Sequence, residues 1–226
     1  MVQNPAVTIY KNFTRPPADI VKQFEVPSGN ITDVQGRRGA LGGGIKPLFE
    51  FPAFTGPALT VKTVPDDNLA VFAAMGIARP GDVLVVATEN WSGSAVIGDL
   101  AAAMFKNIGL AGVVTDGAAR DVTGIRKAGL PVCARGLTAN SAQKNGPGTI
   151  GAEISIGGVI VHAGDIIVAD DAGAAVLHQH EIPAALKALQ AVRAKERDIE
   201  DKIAAGMTMP DWVKAFLAGD RVKYIE

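Results

Sequence analysis

The sequence predicts an α/β fold in which parallel strands alternate with helices, followed by a β hairpin or meander and a helical tail. Of the 226 residues, 48% are hydrophobic but only 5% are aromatic, so the core must consist mainly of Ala, Val, Ile and Leu, as in proteins with buried parallel strands. Short β-branched runs alternate with helical patterns from Pro80 to Ala134. From Glu153 onwards, apolar runs are separated only by turns.

The N-terminal third combines short helical patterns with segments rich in glycine and proline. Five glycines and three cations between Gly36 and Pro47 indicate a mobile loop. Asp67 precedes a run with helical spacing and is expected to cap it. The predicted elements are an irregular arm over residues 1–16, a short helix over Asp19 to Val26, a strand over Gly56 to Thr63 and a helix over Leu69 to Ala78.

The central third alternates regularly between strand and helix patterns. The predicted elements are a strand over Asp82 to Ala87, a helix over Ser94 to Ile108, a strand over Gly112 to Thr115, a helix over Asp121 to Ala128 and a strand over Pro131 to Ala134. This β-α-β-α-β order implies parallel strands joined by right-handed crossovers.

The C-terminal third changes from alternating elements to strands and then to helices. The predicted elements are strands within Glu153 to Val161 and Asp165 to Leu177, a long helix over Glu181 to Ala205 and a final helix over Asp211 to Leu217. Gly81-Asp82 and Gly164-Asp165 each precede a buried strand and are interpreted as ordinary turns, since Gly and Asp favour turns. No segment has the composition of a linker, so we predict one domain over 1–226, with a core over about 25–180 and a helical extension over about 181–226.

Charge and composition exclude several classes of protein. The net charge is −1, which provides no basic surface for a nucleic-acid backbone. Cys133 is the only cysteine, so no intramolecular disulfide is possible. The N-terminus lacks a signal-peptide pattern, and no apolar run reaches the roughly 18 residues of a membrane span. We therefore expect a cytoplasmic protein with no nucleic-acid or membrane partner.

The first candidate site is the glycine-aspartate segment at Gly98-Asp99-Leu100-Ala101. In parallel α/β sheets, ligands bind where strands end and helices begin, and the unpaired amides of a helix N-terminus attract anions. These amides could hold a substrate carboxylate, and Asp99 could orient a water or a metal ion. The alternative is that Gly98 and Asp99 lie in the middle of a helix, with the aspartate solvated.

The second candidate site is the turn from Thr115 to Asp121 (TDGAARD). A buried strand leads into a glycine turn, and Arg120 and Asp121 then open the next helix. The planar guanidinium of Arg matches a carboxylate, whereas the hard cation Mg²⁺ commonly takes one or two carboxylates and several waters. The alternative is that Asp121 caps the helix and Arg120 is solvated.

Other polar residues offer weaker signals. His162, His178 and His180 lack the spacing of a zinc motif, and His178 and His180 are expected in surface or turn roles. Cys133 lies in an apolar strand and is expected to be a small core residue. Lys144, beside Gly146-Pro147-Gly148, could contact a substrate, although loop lysines are usually solvated.

Several motifs together resemble the signature of the RraA-like family. They are GDLA at Gly98–Ala101, GLAGVVTDGAARD at Gly109–Asp121, LPVCARG at Leu130–Gly136, KNGPG at Lys144–Gly148 and GDIIVADD at Gly164–Asp171. The resemblance covers roughly residues 25–206, and the spacing from Gly98 to Asp121 is specific. The family includes metal-dependent 4-hydroxy-4-methyl-2-oxoglutarate / 4-carboxy-4-hydroxy-2-oxoadipate aldolases as well as ribonuclease regulators.

The resemblance implies a fold, an assembly and a set of site residues. The fold would be of the swivelling phosphohistidine-domain type, with an extra β layer, in trimers or hexamers whose active sites lie between subunits. The backbone of Gly98, Asp99, Leu100 and Ala101 would bind the substrate carboxylate. Arg120 would bind substrate oxygens and act in catalysis, Asp121 would bind Mg²⁺ or Mn²⁺, and Asp99 would hold a metal-bound water.

One further residue is expected from a neighbouring subunit. The resemblance implies a glutamate from the long C-terminal helix, and Glu196 fits its position best, with Glu200 second. The tryptophan loop at Trp91-Ser92-Gly93-Ser94 departs from the family pattern, which leaves the choice of substrate open.

The implied activity is that of a divalent-metal-dependent lyase. It would cleave the C3–C4 bond of a 4-hydroxy-2-oxo acid to give pyruvate and a keto acid, through an enolate of pyruvate that the cation stabilises. Oxaloacetate decarboxylation gives the same enolate and is expected as a side activity. The alternative is a non-catalytic regulator that binds a ribonuclease or another partner.

Overall fold

The computed structural model describes residues 5–225 and contains fourteen strands and seven α-helices. The strands are β1 (Val7–Ile9), β2 (Lys46–Pro47), β3 (Phe54–Thr63), β4 (Val83–Ala87), β5 (Ala95–Ile97), β6 (Gly112–Thr115), β7 (Ala118–Ala119), β8 (Val132–Ala134), β9 (Gly136–Leu137), β10 (Gly148–Ile150), β11 (Ile154–Ile156), β12 (Val159–Val161), β13 (Ile166–Asp170) and β14 (Gly173–Leu177). The helices are α1 (Ala18–Lys22), α2 (Ser28–Val34), α3 (Leu69–Ala73), α4 (Asp99–Ile108), α5 (Val122–Ala128), α6 (Ile182–Ala204) and α7 (Asp211–Leu217).

The main sheet has nine strands, and its centre is parallel. The path runs β1-β10-β3-β4-β6-β8-β2, with β13 joined to β3 and β14 to β13. Strands β3, β4, β6 and β8 are parallel, with Ala58 opposite Val83 and Val83 opposite Gly112. Every residue of β4, β6 and β8 is buried, because helices and other strands cover both faces. The predicted α/β fold with parallel central strands is confirmed.

The added β layer is also confirmed. Strands β11 and β12 form one antiparallel hairpin, and β13 and β14 form another. The second hairpin joins the main sheet through the first half of β3, where Phe54 to Pro57 pair with Ile166 to Ala169. The long strand β3 therefore links the parallel centre to the antiparallel layer.

The N-terminal prediction needs two corrections. Val7–Ile9 is not irregular but forms the edge strand β1, which pairs in parallel with β10; residues 1–4 of the predicted arm lie outside the described residues. Helix α2 was not predicted, because the sequence SGNITDV has low helix propensity. Its first turn is instead held by tertiary contacts, since Asp170 accepts hydrogen bonds from Ser28 N (2.6 Å) and Ser28 Oγ (2.8 Å).

The predicted helix over Ser94 to Ile108 is wrong in its first part. Ala95–Ile97 forms β5, and helix α4 begins only at Asp99. Residues 95–97 are almost completely buried and pair with β7, so backbone pairing with a neighbouring strand overrides the local helical spacing. The helix predicted at Leu69 is also shorter than expected, although Asp67 Oδ1 accepts a hydrogen bond from Leu69 N (2.9 Å) at its start.

The C-terminal helix α6 is buried only near its beginning. Ala185 and Leu189 are buried against α2 and the β13–β14 hairpin, whereas most residues after Val192 are exposed. Ile199 is 38% exposed and Ile203 is 56% exposed. Within residues 5–225, no helix combines the length and apolar character needed to cross a bilayer.

Candidate active site

A small parallel sheet brings the two candidate corners together. Strands β5, β7 and β9 form this sheet, and Arg120 N donates a hydrogen bond to Ile97 O (3.1 Å) just beyond the paired residues. Because neighbouring parallel strands end at the same edge, the residue after β5 (Gly98) lies beside the residue after β7 (Arg120). The order of the strands therefore places two segments that are 22 positions apart in one site.

Gly98 follows β5 and precedes α4. Its backbone is extended (φ −133°, ψ −173°), and Gly98 O accepts the first helical hydrogen bond, from Ala102 N. The alternative that Gly98 and Asp99 lie in the middle of a helix is wrong. The amides of Asp99, Leu100 and Ala101 belong to the first turn of a ten-residue helix, where amides have no backbone acceptor within the helix.

The side chain of Asp99 lies between the first turns of α4 and α5. Its Oδ1 accepts a hydrogen bond from Leu100 N (2.7 Å). A Cβ atom at Gly124 would lie only 2.5 Å from Asp99 Cβ and 2.7 Å from Asp99 Oδ2. Glycine at 124 therefore allows α5 to approach α4 and places the Asp99 carboxylate at the junction of their first turns.

Arg120 and Asp121 form an ion pair beside Gly98. Arg120 Nε lies 3.2 Å from Asp121 Oδ2, and their side chains are 40% and 44% exposed. Arg120 Nη1 donates a short hydrogen bond to Ser141 Oγ, which fixes the other edge of the guanidinium. A Cβ atom at Gly98 would lie 3.0 Å from Asp121 Oδ2 and 3.3 Å from Arg120 Nε, so only glycine fits here without displacing the pair.

Asp121 does not have the capping role that the alternative proposed. It precedes α5 in the left-handed conformation (φ 57°, ψ 42°), and its side chain makes no capping hydrogen bond. A left-handed conformation is uncommon for a residue with a side chain, and such backbones concentrate at functional sites. The backbone instead directs the carboxylate towards Gly98 and Arg120.

Gly98, Asp99, Arg120 and Ser141 line a cleft with a volume of about 240 Å³, and Asp121 lies outside its lining. All five predicted substrate-binding residues contribute to it: Gly98, Asp99, Leu100, Ala101 and Arg120. Lys144, the weaker candidate, is also in the lining. Such a cleft accommodates a small organic acid rather than a polymer.

Two further polar residues of this cleft, Ser141 and Asn68, were not predicted from the sequence. Asn68 is 7% exposed, and its Nδ2 donates to Val96 O (3.3 Å). Among residues 5–225, Asn68 Oδ1 is the only buried side-chain nitrogen or oxygen without a hydrogen-bond partner. An unpaired buried acceptor is costly, so this atom is available for a donor on a ligand.

The position of Asn68 follows from the same topology. Strand β3 is the parallel neighbour of β4. Asp67 and Asn68 come shortly after the end of β3. Asp67 Oδ2 accepts hydrogen bonds from Asn145 N (2.6 Å) and Gly146 N (3.0 Å), which hold the loop that carries Lys144. The two polar residues Asp67 and Asn68, after a buried strand, were the sequence signal that could have identified this part of the site.

Glu196 lies outside the cleft of its own subunit. Its Oε2 accepts a hydrogen bond from Asn30 Nδ2 (2.7 Å), and with Arg37 and Lys195 it lines a surface depression between α2 and α6. Glu200 is exposed on the same helix. A role for either glutamate in the cleft therefore requires a second subunit, as the sequence analysis expected.

The tryptophan loop is held in place but does not line the cleft. Asp116 accepts hydrogen bonds from Thr88 N (2.7 Å) and Asn90 N (3.1 Å), and Trp91 Nε1 donates to Ser94 Oγ (3.0 Å). Trp91 is 39% exposed. Within one subunit it does not contact the space that Arg120 faces.

Cys133 has the structural role that its sequence context indicated. Its side chain is fully buried in β8. Burial raises the pKa of the Cys133 thiol to about 12, so it stays protonated and is a poor nucleophile.

His178 and His180 lie in the short connection between β14 and α6, in agreement with the predicted surface or turn roles. His162 and His178 both contact Oδ2 of the Asp165 carboxylate, and the ligand atoms of the three residues fall within 4.8 Å of one another. This group can hold a metal ion by its composition and spacing. Sequence motifs did not reveal it because its members come from two turns at one end of the β13–β14 hairpin.

Comparisons with known proteins agree with the fold and the motifs. A Halalkalibacterium halodurans protein named "Putative 4-hydroxy-4-methyl-2-oxoglutarate aldolase" is 38% identical over 192 residues, which cover 83% of this chain and 91% of the relative. An uncharacterized protein of Methanocaldococcus jannaschii is 32% identical over 195 residues, which cover 85% of this chain and 91% of that protein.

Solved structures give the same result. Streptomyces coelicolor RraAS2, described as an unusual member of the RNase ES inhibitor RraA protein family, matches with a TM-score of 0.74 and 29% identity, covering 84% of this chain and 100% of that chain. The family model described as RraA-like, Aldolase/RraA, matches residues 18–176. With its parallel core, its added β layer and its paired site corners, the chain therefore belongs to the RraA-like (Aldolase/RraA) family.

Proposed function

We propose that this protein is a divalent-metal-dependent lyase that cleaves the C3–C4 bond of a 4-hydroxy-2-oxo acid to give pyruvate and a second keto acid. The observation that carries the proposal is Arg120, which lines a cleft of small-molecule size with the first turn of α4 and pairs with Asp121 at its edge. Similarity to the Halalkalibacterium halodurans protein, whose name includes 4-hydroxy-4-methyl-2-oxoglutarate aldolase, supports that substrate. The related 4-carboxy-4-hydroxy-2-oxoadipate is the other proposed substrate. Loss of CO₂ from oxaloacetate, which gives the same enolate, is the proposed side activity.

The first turn of α4 binds the carboxylate of the 2-oxo acid. Its amides carry partial positive charge and lack helical partners, which suits an anion. Gly98 keeps this end of the helix open, since a side chain there would occupy the space beside Arg120 and Asp121. The substrate's 2-oxo group then faces Arg120.

Arg120 stabilises the charge that develops when the C–C bond breaks. The electron pair of that bond moves into the 2-oxo group and forms the enolate of pyruvate, whose oxygen is more negative than that of the ketone. A fixed guanidinium favours this change, because its charge needs no reorganisation during the reaction. Ser141 Oγ and Asp121 Oδ2 hold two edges of the guanidinium and keep it in position.

The donor set fits a hard divalent cation. Asp121 is the proposed ligand, and Asp99, at the junction of α4 and α5, is the proposed holder of a water of the cation's shell; Mg²⁺ and Mn²⁺ favour such combinations of carboxylate and water. When bound, the cation supplies Lewis acidity that polarises the 2-oxo group. Asp99 accepts the proton of the 4-hydroxyl through a water and returns it to C3 of the enolate, so no proton is lost overall.

Apolar exposure beside the cleft supports a site between subunits. Leu100 is 74% exposed and Met104 is 40% exposed on the same face of α4. A neighbouring subunit in a trimer or hexamer would cover these side chains, and its α6 would bring Glu196 to the water near Asp99. This assembly is part of the proposal, with Glu200 as the second choice for the glutamate.

The test of the function is an assay of pyruvate release. The purified protein is given oxaloacetate or 4-hydroxy-4-methyl-2-oxoglutarate, with Mg²⁺ or with a chelator, and pyruvate is coupled to lactate dehydrogenase. Catalysed pyruvate formation with Mg²⁺ that the chelator abolishes is the expected result. No pyruvate from either substrate above the rate of the metal ion alone would refute the proposal.

A site formed by residues of two subunits predicts that two inactive variants restore activity when they are mixed. Glu196→Gln and Arg120→Ala are each expected to have low activity, because each removes one half of every site. After subunit exchange, mixed assemblies contain some sites with both residues intact, so activity is expected to return. Glu200→Gln tests the second choice for the glutamate and is expected to stay active if Glu196 is the residue that reaches the site. Absence of recovery in confirmed mixed assemblies would place Glu196 outside the site.

A regulatory function is the second candidate, and the similarity to Streptomyces coelicolor RraAS2 favours it. Such a protein would bind a ribonuclease and need no metal-dependent turnover. The net charge of −1 gives no basic surface for RNA, so the partner would be a protein. Direct binding to a ribonuclease, together with an inactive pyruvate assay, would favour this candidate over the lyase.

A further inference from the structure

His162, Asp165 and His178 form a compact group at one end of the β13–β14 hairpin. Ile166 pairs with Leu177, so Asp165 and His178 are the residues just beyond the last pair of the hairpin. Asp165 Oδ2 lies 2.8 Å from His178 Nδ1 and 3.3 Å from His162 Nδ1. The group lies outside the lining of the cleft that contains Arg120.

The Asp165 carboxylate is buried, and a nearby positive charge would stabilise it. Its side chain is only 3% exposed. Its Oδ2 accepts a hydrogen bond from His162 N (2.8 Å), and its Oδ1 accepts one from Gln179 N (3.1 Å). Backbone amides reduce the cost of burying an ionised carboxylate, but they do not neutralise it.

The other Gly-Asp turn of the chain shows how such a charge is balanced. Asp82 is the counterpart of Asp165, because its Oδ2 likewise accepts a hydrogen bond from the amide three residues earlier, Arg79 N (2.9 Å). Arg15 then neutralises Asp82, with Nε 2.7 Å from Oδ1 and Nη2 2.8 Å from Oδ2. At Asp165, two imidazoles occupy the place of the guanidinium.

His162 Nδ1 and Asp165 Oδ2 can act as two facing acceptors, an arrangement that suits a cation. His162 Nε2 lies 3.0 Å from Glu153 Oε2, so in the neutral tautomer with the proton on Nε2 a lone pair remains on Nδ1. That lone pair then faces Asp165 Oδ2, another acceptor, at 3.3 Å. A carboxylate that accepts the second ring N–H of a histidine is the usual partner of a metal-bound imidazole.

We infer that His162 Nδ1, His178 Nδ1 and Asp165 Oδ2 bind a divalent transition-metal ion of the zinc class, with water completing the shell. Two imidazoles and one carboxylate suit such an ion better than Mg²⁺. Bonds of about 2.0–2.1 Å in a tetrahedron place ligand atoms about 3.3 Å apart. The His162–Asp165 distance already matches, and the 2.8 Å His178–Asp165 distance needs to lengthen by a few tenths of an ångström.

The ion would connect two parts of the chain. His162 and Asp165 belong to the turn between β12 and β13, and His178 lies four residues before α6 begins at Ile182. A metal ion there fixes the starting point of the helix that carries Glu196. Its expected role is therefore structural, and the inference does not depend on the lyase activity.

The test measures metal binding in the full-length protein with the Asp121→Asn change, so that a cation at the candidate active site does not contribute. After removal of metals with a chelator, Zn²⁺ is added and Tm is followed, and Co²⁺ is added and its visible absorption is recorded. Binding of one Zn²⁺ per chain, a Tm that rises with Zn²⁺ concentration and intense tetrahedral Co²⁺ bands are expected. Absence of Zn²⁺ binding at micromolar concentration would overturn the inference.

Variants and nuclear magnetic resonance identify the ligands. His162→Ala and His178→Ala are expected to weaken Zn²⁺ binding by more than the 10–100-fold typical of an outer-shell partner. His180→Ala is the matched control, since its ring stacks on His178 with centroids 5.6 Å apart but lies outside the group. If the alanine variants fail to fold, ¹⁵N spectra of the histidines in the protein without these substitutions identify the Zn²⁺ ligands. Zn²⁺ should shift Nδ1 of His162 and His178 but not of His180, and unshifted resonances would overturn the inference.

Discussion

An Arg120→Ala variant is expected to lose roughly 10²–10³ in kcat for pyruvate release, the range seen when one donor to a developing oxyanion is removed. Arg120 is the only predicted site cation whose position is fixed on two edges, by Asp121 and by Ser141. Its removal leaves the enolate oxygen without that fixed charge. Steady-state kinetics at saturating Mg²⁺ measure the effect, and KM should change less than kcat because the α4 amides still bind the carboxylate.

Two controls separate charge from geometry in this experiment. Arg79→Ala removes an exposed arginine that lies outside the cleft and is expected to leave kcat unchanged. Arg120→Lys keeps the charge but loses the planar fork, so it should recover only part of the activity. A normal kcat for Arg120→Ala would contradict the assigned role of Arg120 in the reaction.

The parallel centre of the fold was predictable because its strands are short, β-branched and buried on both faces. Val83–Ala87 and Gly112–Thr115 are completely or almost completely buried, and no helical pattern competes with them. The antiparallel layer followed from turns at short spacing after Glu153. In these regions, local propensity and tertiary packing favour the same structure.

The errors lie where tertiary contacts overrule local sequence. Ala95–Ile97 continues the helical spacing of α4 but pairs with β7 instead. Ser28–Val34 forms a helix although its residues favour turns, because Asp170 binds its first amide. Both outcomes depend on partners far away in the sequence, which a single-sequence pattern does not contain.

The site was predictable only in part for the same reason. Gly98 and Arg120 each follow a strand, and neighbouring parallel strands place such residues together. Asn68 and Ser141 carry no motif, and the loop that holds Ser141 is fixed by the Asp67 carboxylate. The His162–Asp165–His178 group depends on the closure of a hairpin. What joins these residues is the order of the strands rather than their spacing in the sequence.

An Asp121→Asn variant is expected to bind Mn²⁺ at least about 100-fold more weakly, since loss of a direct ligand should exceed the 10–100-fold effect of an outer-shell partner. The amide is isosteric with the carboxylate, and Asn accepts the left-handed backbone that residue 121 adopts (φ 57°). The change therefore removes the charge of the ligand with little effect on the fold. Electron paramagnetic resonance of free Mn²⁺ measures the affinity directly, without relying on turnover.

The matched control for Asp121→Asn is Asp66→Asn, which makes the same chemical change at another aspartate with a positive φ (62°). Both variants are prepared with His178→Ala, so that the histidine group does not bind the probe. If Asp121 is the ligand, only Asp121→Asn loses Mn²⁺ affinity, and its pyruvate release falls with metal occupancy and recovers in part at high Mn²⁺. Equal affinity in the two variants would mean that the carboxylate of Asp121 serves to position Arg120, 3.2 Å away, and that the cation is held elsewhere.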